Sequence, residues 1–443
     1  MKLRYLAVAS AFILLAVRMS RMVDLYAVNI FFCDQWAFND ATLFQKHSWL
    51  EVFRWQYGPH RQGLGGVLSK LYEPLIQWNS RDDALVIAGF IVCACLAALW
   101  LKYRLFGNIG YSDVIIPLLF FTPVQFDALI VDGVNLSHGP LPLLLAVLYC
   151  LAWTLPKEFW KHATVLLLNF ALIYTGFGLF MGLITPVLLG IEFYHRRKRL
   201  VLISLAIAII SIGSFFMDYR NSPAVACFSP QLQNPLKYVL FVGFMFSSFV
   251  NIYPRAPLVV PAMIVGLGLL IFVSLTAGNM FRELLRDKAE GRPLIVFALL
   301  GYSLVFCFAT SYGRICMGLA SGQASRYMIY LILAFLGLYL AALSVTANMK
   351  SRAFVSVVLL LALLSSIPFH TQAQRSLSSK SQQRRTWKEC YLSTHNIEQC
   401  DARSGSFIYL TPEPPDLKSK LDFLERNHLN LFSGVTTPPH QPD

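Results

Sequence analysis

Ala84 to Leu101 reads ALVIAGFIVCACLAALWL, eighteen residues without a charge, closed by Asp82-Asp83 on one side and Lys102-Tyr103-Arg104 on the other. As a helix this stretch is about 27 Å long, close to the hydrocarbon thickness of a bilayer. It has no polar face to show water, so it reads as a membrane span. Outward from it lie further apolar windows, at about 5–30, 113–131, 139–155, 163–176, 177–194, 200–217, 235–252, 257–277, 293–310, 327–347 and 353–368. The 443-residue chain is 56% hydrophobic and 14% charged, with a mean hydropathy of +0.55. An ordinary soluble domain carries about 25% charged residues. The composition excludes a soluble globular protein and predicts an all-α, polytopic membrane protein.

The net charge of +13 does not point to nucleic acid, because Lys and Arg fall in short clusters between apolar windows, where membrane topology needs them. Lys2/Arg4, Lys102/Arg104, Lys157/Lys161, the run His195 to Arg199, Arg282 to Arg292 and Lys350/Arg352 are assigned to the cytoplasm. Between the clusters at 195–199 and 282–292 lie three windows, yet a return to the same side needs an even number of crossings. The window 235–252 is therefore expected to be re-entrant or interfacial, since it follows Pro235 and precedes Tyr253-Pro254-Arg255-Ala256-Pro257. About eleven spans result, with the N-terminus cytoplasmic and the C-terminus outside. Met1 to Val17 lacks a small-residue cleavage site before Arg18 and Arg21, so the first helix is expected to stay as an anchor.

The long polar stretches then share the outer side: 34–82, 218–234, 311–326 and the tail 370–443. A transmembrane domain is expected over 1–369 and a small outer domain over 370–443, where Leu417 to Leu424 suits a short amphipathic helix. Cys93, Cys95, Cys150 and Cys307 lie in apolar runs and read as small hydrophobes. Cys390 and Cys400 stand ten positions apart in the polar tail and are expected to form a disulfide in an oxidising compartment. No Walker loop, GxGxxG fingerprint, internal repeat or spaced Cys/His metal set is present in the sequence. An ATP-driven pump and a nucleotide-sugar Rossmann enzyme thus have no support.

Four outer segments carry the candidate chemistry. Phe32-Cys33-Asp34-Gln35-Trp36 places a carboxylate at the headgroup level, where it reads either as a general base or as an interfacial Asp beside a Trp anchor. Tyr57-Gly58-Pro59-His60-Arg61-Gln62 offers His60 and Arg61 to a phosphate, or is an ordinary turn. The stretch from Gln125 and Asp127 to Asn135 and His138 could line a sugar pocket or simply form turns. Gly313-Arg314 and Ala324-Ser325-Arg326-Tyr327 could cradle a phosphate, or hold snorkelling arginines.

Taken in this order, the elements resemble the GT-C superfamily of membrane glycosyltransferases, especially bacterial members and relatives of the lipopolysaccharide-modifying enzymes. An Asp motif follows the first helix, a His-Arg element lies later in that loop, a Gly-Arg…Ser-Arg-Tyr element precedes a late helix, and a polar tail closes the chain. The resemblance implies a GT-C-like fold and an inverting transfer of a sugar from a polyprenyl-phosphate donor to a glycolipid or lipopolysaccharide acceptor at the periplasmic face of a bacterial inner membrane. It implies Asp34 as the catalytic base and Arg314 and Arg326 near the donor phosphate, with His60 and Arg61 as further phosphate ligands. Gln35, Trp36, Gln125, Asn135, His138 and Tyr327 are expected around the substrate. No cofactor is expected. The chain departs from relatives with two adjacent acids in the first motif, sometimes with a metal, because Gln35 follows Asp34; metal independence or a second acid such as Asp40 would account for it.

Rival readings are a transporter or flippase for a lipid-linked saccharide, an O-antigen polymerase or ligase, and a non-enzymatic assembly protein. A transporter would bury ionisable groups at midplane on broken, repeated helices. A polymerase or ligase would place its arginines in one large late loop.

Overall fold

A computed structural model of the chain describes residues 2–131, 136–220, 234–254, 257–286, 291–344, 349–366, 372–409 and 416–434. Among them the chain is helical almost throughout, and the strands are two-residue pieces, Gln56–Tyr57 and His60–Arg61. The charge-free stretch lies in the helix Ser80–Phe106. Asn79 caps its start by accepting from the Arg81 and Asp82 amides, and Gly107 at φ +72° ends it. Among the described residues five helices are long and apolar enough to cross a membrane: Leu3–Tyr26, Ser80–Phe106, Val259–Arg286, Arg292–Met317 and Ser325–Ser344. Pro140–Ala152, Arg199–Phe215, Leu236–Phe249 and Arg352–Ser366 are apolar but shorter.

The stretch 113–131 is not one helix but the short pieces Tyr111–Val114, Ile115–Phe120, Pro123–Gln125 and Asp127–Val131. Pro123 has no amide hydrogen to continue the preceding turns. The window 235–252 forms the 14-residue helix Leu236–Phe249, about 21 Å long and short of the hydrocarbon thickness. Phe241 to Phe249 is buried along its whole length. It packs on Val259–Arg286 so closely that a Cβ on Gly266 would stand 2.0 Å from the Gly243 carbonyl oxygen.

Basic side chains tie the helix ends together at two places. At one Lys102 pairs with Asp113 at 2.8 Å, both buried, and the Tyr339 phenol donates to the same carboxylate at 2.5 Å. There too Lys161 meets Glu192 at 3.1 Å, Lys198 meets Glu158 at 2.8 Å, and Arg292 donates to the Leu105 carbonyl at 3.2 Å. The clusters read as topological charges thus also tie the helices together in pairs. At the other Arg18 caps two helix ends, donating to the Ser366 and Phe121 carbonyls at 2.8 and 3.0 Å. Asp24, also in the first window, pairs with Arg81.

The tail is helical and docks on the first loop. Its helices are Gln372–Thr394, Ile397–Ser404 and Leu417–Arg426, the last burying Leu417, Leu421 and Leu424 at the spacing of one helix face. Cys390 and Cys400 form a disulfide, with Cα atoms 5.5 Å apart. Trp387, Tyr391 and Phe432 of the tail share a core with Phe31, Trp36 and Leu43 of the first loop. Lys420 bridges Asp40 and Asp416, each at 2.8 Å. Asp40 is therefore committed to the tail rather than standing as a second acid beside Asp34. Cys33, Cys93, Cys95, Cys150 and Cys307 are free thiols, whereas Cys316 is disulfide-bonded, a pairing the sequence reading missed.

Candidate functional site

Gly58 and Pro59 form the two-residue loop of a hairpin, with Gly58 at φ +54° supplying the backbone conformation that such a loop needs at its first position. Tyr57 stands opposite His60 and Gln56 opposite Arg61. Neighbours in a strand face opposite ways, so His60 and Arg61 part company. Arg61 is 3% exposed and donates to the Phe215, Arg54 and Met217 carbonyls at 3.0, 2.6 and 2.5 Å. Two of these acceptors lie at the C-terminal end of the helix Arg199–Phe215, where carbonyls lack helical partners. Arg61, expected beside a phosphate, clamps the hairpin to a helix end.

His60 faces the other way. Its Nδ1 donates to the Gly176 carbonyl at 2.6 Å, since a carbonyl only accepts, and in the neutral ring this leaves Nε2 as an acceptor. Burial, and then the Arg314 charge, outweigh that hydrogen bond and bring His60 down to about 4. The ring is neutral at pH 7. His60 meets Phe177 edge-on at 4.3 Å and His138 at 5.1 Å, and His138 stacks on Phe38 at 4.7 Å. His138 is also held low, by burial and by His60.

Asp34 precedes the short helix Gln35–Asn39, and its carbonyl accepts from the Ala37 and Phe38 amides at 3.1 and 2.9 Å. Its half-buried carboxylate accepts from the Tyr57 phenol at 2.8 Å. Burial, followed by the Asp34 charge, raises Tyr57 well above the ordinary phenol range, so it keeps its proton and holds Asp34 in place. The charge of Arg314, at the end of the helix Arg292–Arg314, acts on Tyr57 and His60 alike.

A cavity of about 310 Å³ opens beside these groups. Phe177, Phe180, Phe215 and Phe216 form an aromatic wall, and His60, Arg314, Tyr327, Tyr219 and Thr310 supply polar atoms. The arrangement sets a guanidinium and a neutral imidazole on the wall of an apolar space, and Tyr57, which faces His60 across the hairpin, carries the hydrogen bond to the Asp34 carboxylate. A ligand with a long apolar part and a polar, anionic end fits that division.

The other expected residues are distributed elsewhere. Trp36 donates to the Ile408 carbonyl at 3.0 Å inside the core shared with the tail. Gln35 accepts from the Phe32 amide at 2.9 Å, and Gln125 is fully buried with its amide on the Phe120 carbonyl at 2.6 Å. Arg326 lies over the Tyr327 ring at 5.6 Å but is not on the cavity wall. Asn135 lies outside the described residues. Tyr57 and the four phenylalanines were not singled out from sequence; only the Gly-Pro loop, which sets Tyr57 across from His60, signalled one of them. No described protein family matches the chain, and no curated protein is detectably similar to it.

Proposed function

We propose that the protein is an inverting glycosyltransferase with a GT-C-like architecture of about eleven crossings, moving a sugar from a polyprenyl-phosphate donor to a glycolipid or lipopolysaccharide acceptor at the periplasmic face of a bacterial inner membrane. The observation that carries this reading is the cavity that sets Arg314 and His60 against an aromatic wall, with Tyr57 linking them to Asp34. In the reaction an acceptor hydroxyl attacks the anomeric carbon, the bond from that carbon to the phosphate oxygen breaks, and the hydroxyl proton passes to Asp34. Arg314 takes the charge of the departing polyprenyl phosphate through its guanidinium donors. Neutral His60 brings no positive charge to the phosphate. Its Nε2 suits a substrate hydroxyl, which moves His60 from the phosphate to the sugar or acceptor side.

The test is the envelope glycan mass profile of a strain lacking the protein, complemented with wild type, Asp34→Asn or Arg314→Gln at matched membrane abundance. Restoration of one sugar increment by the wild type, with each variant reduced by about a hundredfold or more, supports the reading. Equal restoration by Asp34→Asn makes Asp34 an interfacial anchor and moves the transporter and assembly readings ahead. A change in chain-length distribution instead of a single increment indicates the polymerase or ligase.

A further inference from the structure

Four helix ends meet around a cavity of about 460 Å³ that shares no wall residue with the aromatic one. Trp153 stands just past the end of Pro140–Ala152, and Glu158 and Lys161 lie in the first turn of Glu158–Ile173. Arg196 closes Leu179–Arg196, Gly291 caps the start of Arg292–Arg314, and Leu155 lies at the rim. Carboxylates hold the cations here in place. Lys161 meets Glu192 at 3.1 Å, Arg196 meets Glu158 at 3.1 Å and Glu192 at 3.7 Å, and Lys198 meets Glu158 at 2.8 Å.

These carboxylates do not balance the charge around them. Lys161, Arg196 and Lys198 share the two acids Glu158 and Glu192, and Lys157, Arg197 and Arg199 stand exposed in the same two connections. His162, 3.6 Å from Glu192, brings no negative charge. The end of Val259–Arg286 packs here through His195, whose Nε2 donates to the Leu284 carbonyl at 2.8 Å, and it adds Arg282 and Arg286 against Glu283. An excess of fixed positive charge around a space between apolar helices draws an anion. Guanidinium and ammonium groups on one wall suit phosphate oxygens, the first by its fork of donors and the second as a point charge.

The level of the cavity points to the source of that anion. Arg292–Met317 is long and apolar enough to cross a membrane, so its first turn comes at the depth of lipid headgroups. Phe159, Trp160 and Tyr194, 62%, 59% and 68% exposed, neighbour Lys161 and Arg196 in the chain, the mixture of aromatic and basic side chains that suits a bilayer interface. Basic pockets between membrane helices take phosphate headgroups. We propose that this cavity holds the phosphate of an anionic phospholipid, with Lys161 and Arg196 as its charged contacts. The ion pairs join Glu158–Ile173 to Leu179–Arg196, and the lipid extends that tie to Pro140–Ala152 and Arg292–Arg314. The inference does not rest on the transferase reading, and its test involves no turnover.

The test uses the full-length protein, delipidated in an uncharged detergent and titrated with phosphatidylglycerol, phosphatidylcholine or inorganic phosphate. The expected result is a Tm rise of several degrees with phosphatidylglycerol, little change with the other two, and one phosphatidylglycerol retained per chain in native mass spectrometry. Leu155→Glu adds a carboxylate at the rim and removes no ion pair, so it is expected to lose most of the shift and the retained lipid, while Leu155→Gln keeps both. Arg196→Gln leaves Lys198 on Glu158 and Lys161 on Glu192, and is expected to weaken the apparent lipid affinity by about tenfold or more. A wild type that responds equally to the two lipids, or to neither, overturns the proposal even if the variants fail to fold. An equal shift with inorganic phosphate makes this a site for a free anion and overturns the lipid assignment. A phosphatidylglycerol shift undiminished in Leu155→Glu or Arg196→Gln places the lipid elsewhere and overturns it too.

Discussion

His60 donates from Nδ1 to a carbonyl and is kept neutral by burial, so its titration enters the stability of the protein with a definite sign. The unfolded chain takes up a proton at this residue near pH 6.5, and the folded chain only near pH 4. Between those values the unfolded state binds more protons, so stability rises with pH there. Acidification from neutrality therefore lowers the Tm through that window, and the loss levels off below about pH 4. His60→Asn is expected to flatten this part of the Tm–pH curve, and a curve of unchanged slope would place the titration on another group. Tyr57 acts on Asp34 in a complementary way. Tyr57→Phe removes a hydrogen bond to a charged acceptor, worth about 1.5–3 kcal/mol, so the Tm is expected to fall, and turnover of the proposed transfer in membrane vesicles is expected to fall by about tenfold or more.

At the scale of elements, the hairpin and one helix crossing carry the placement of the site. Arg61 holds the hairpin to the end of Arg199–Phe215 through the Phe215 and Met217 carbonyls while also donating to the Arg54 carbonyl, a fork that a lysine ammonium cannot reproduce. Arg61→Lys is expected to destabilise by about 2–4 kcal/mol and to weaken activity by displacing His60, read as a lowered Tm and a lowered turnover in the same preparation. If the Tm holds while turnover falls, Arg61 works on substrate and the clamp explanation fails. Gly266 is the close-approach point between Leu236–Phe249 and Val259–Arg286. Gly266→Val forces the pair apart and is expected to lose about 3 kcal/mol, visible as reduced abundance in the membrane and an early unfolding transition.

For the whole molecule, the start of the first loop and the tail form one unit, because Trp36 and Phe31 share a core with Trp387 and Tyr391 around the Cys390–Cys400 disulfide. A division at 369 describes the chain but cuts through this shared core. Replacing both cysteines by serine is expected to abolish the mobility difference between reducing and non-reducing gels at this pair and to cost about 2–3 kcal/mol. Sidedness has its own measurement. Single cysteines placed in 282–292 are expected to label only after permeabilisation, and those in the tail to label in intact cells; the reverse pattern would move every site described above to the cytoplasm.

Much of this was readable from the chain itself, because it depends on local chemistry. A helix without charge must leave water, and two cysteines ten positions apart in a polar tail can meet with little chain entropy to overcome. The amphipathic stretch at 417–424 was legible for the same reason: its period places Leu417, Leu421 and Leu424 on one face. Which polar residues share a space was not legible. His60 and Arg61 are adjacent, yet one lines the cavity and the other clamps carbonyls 154 and 156 positions away. Trp36 lies two residues from Asp34, yet it answers to Ile408, 372 positions on. Local preference decides that a segment is a helix or a turn. Which of its side chains meets a cavity, a helix end or the tail is decided by contacts between segments far apart in the chain, and only the tertiary structure brings those together.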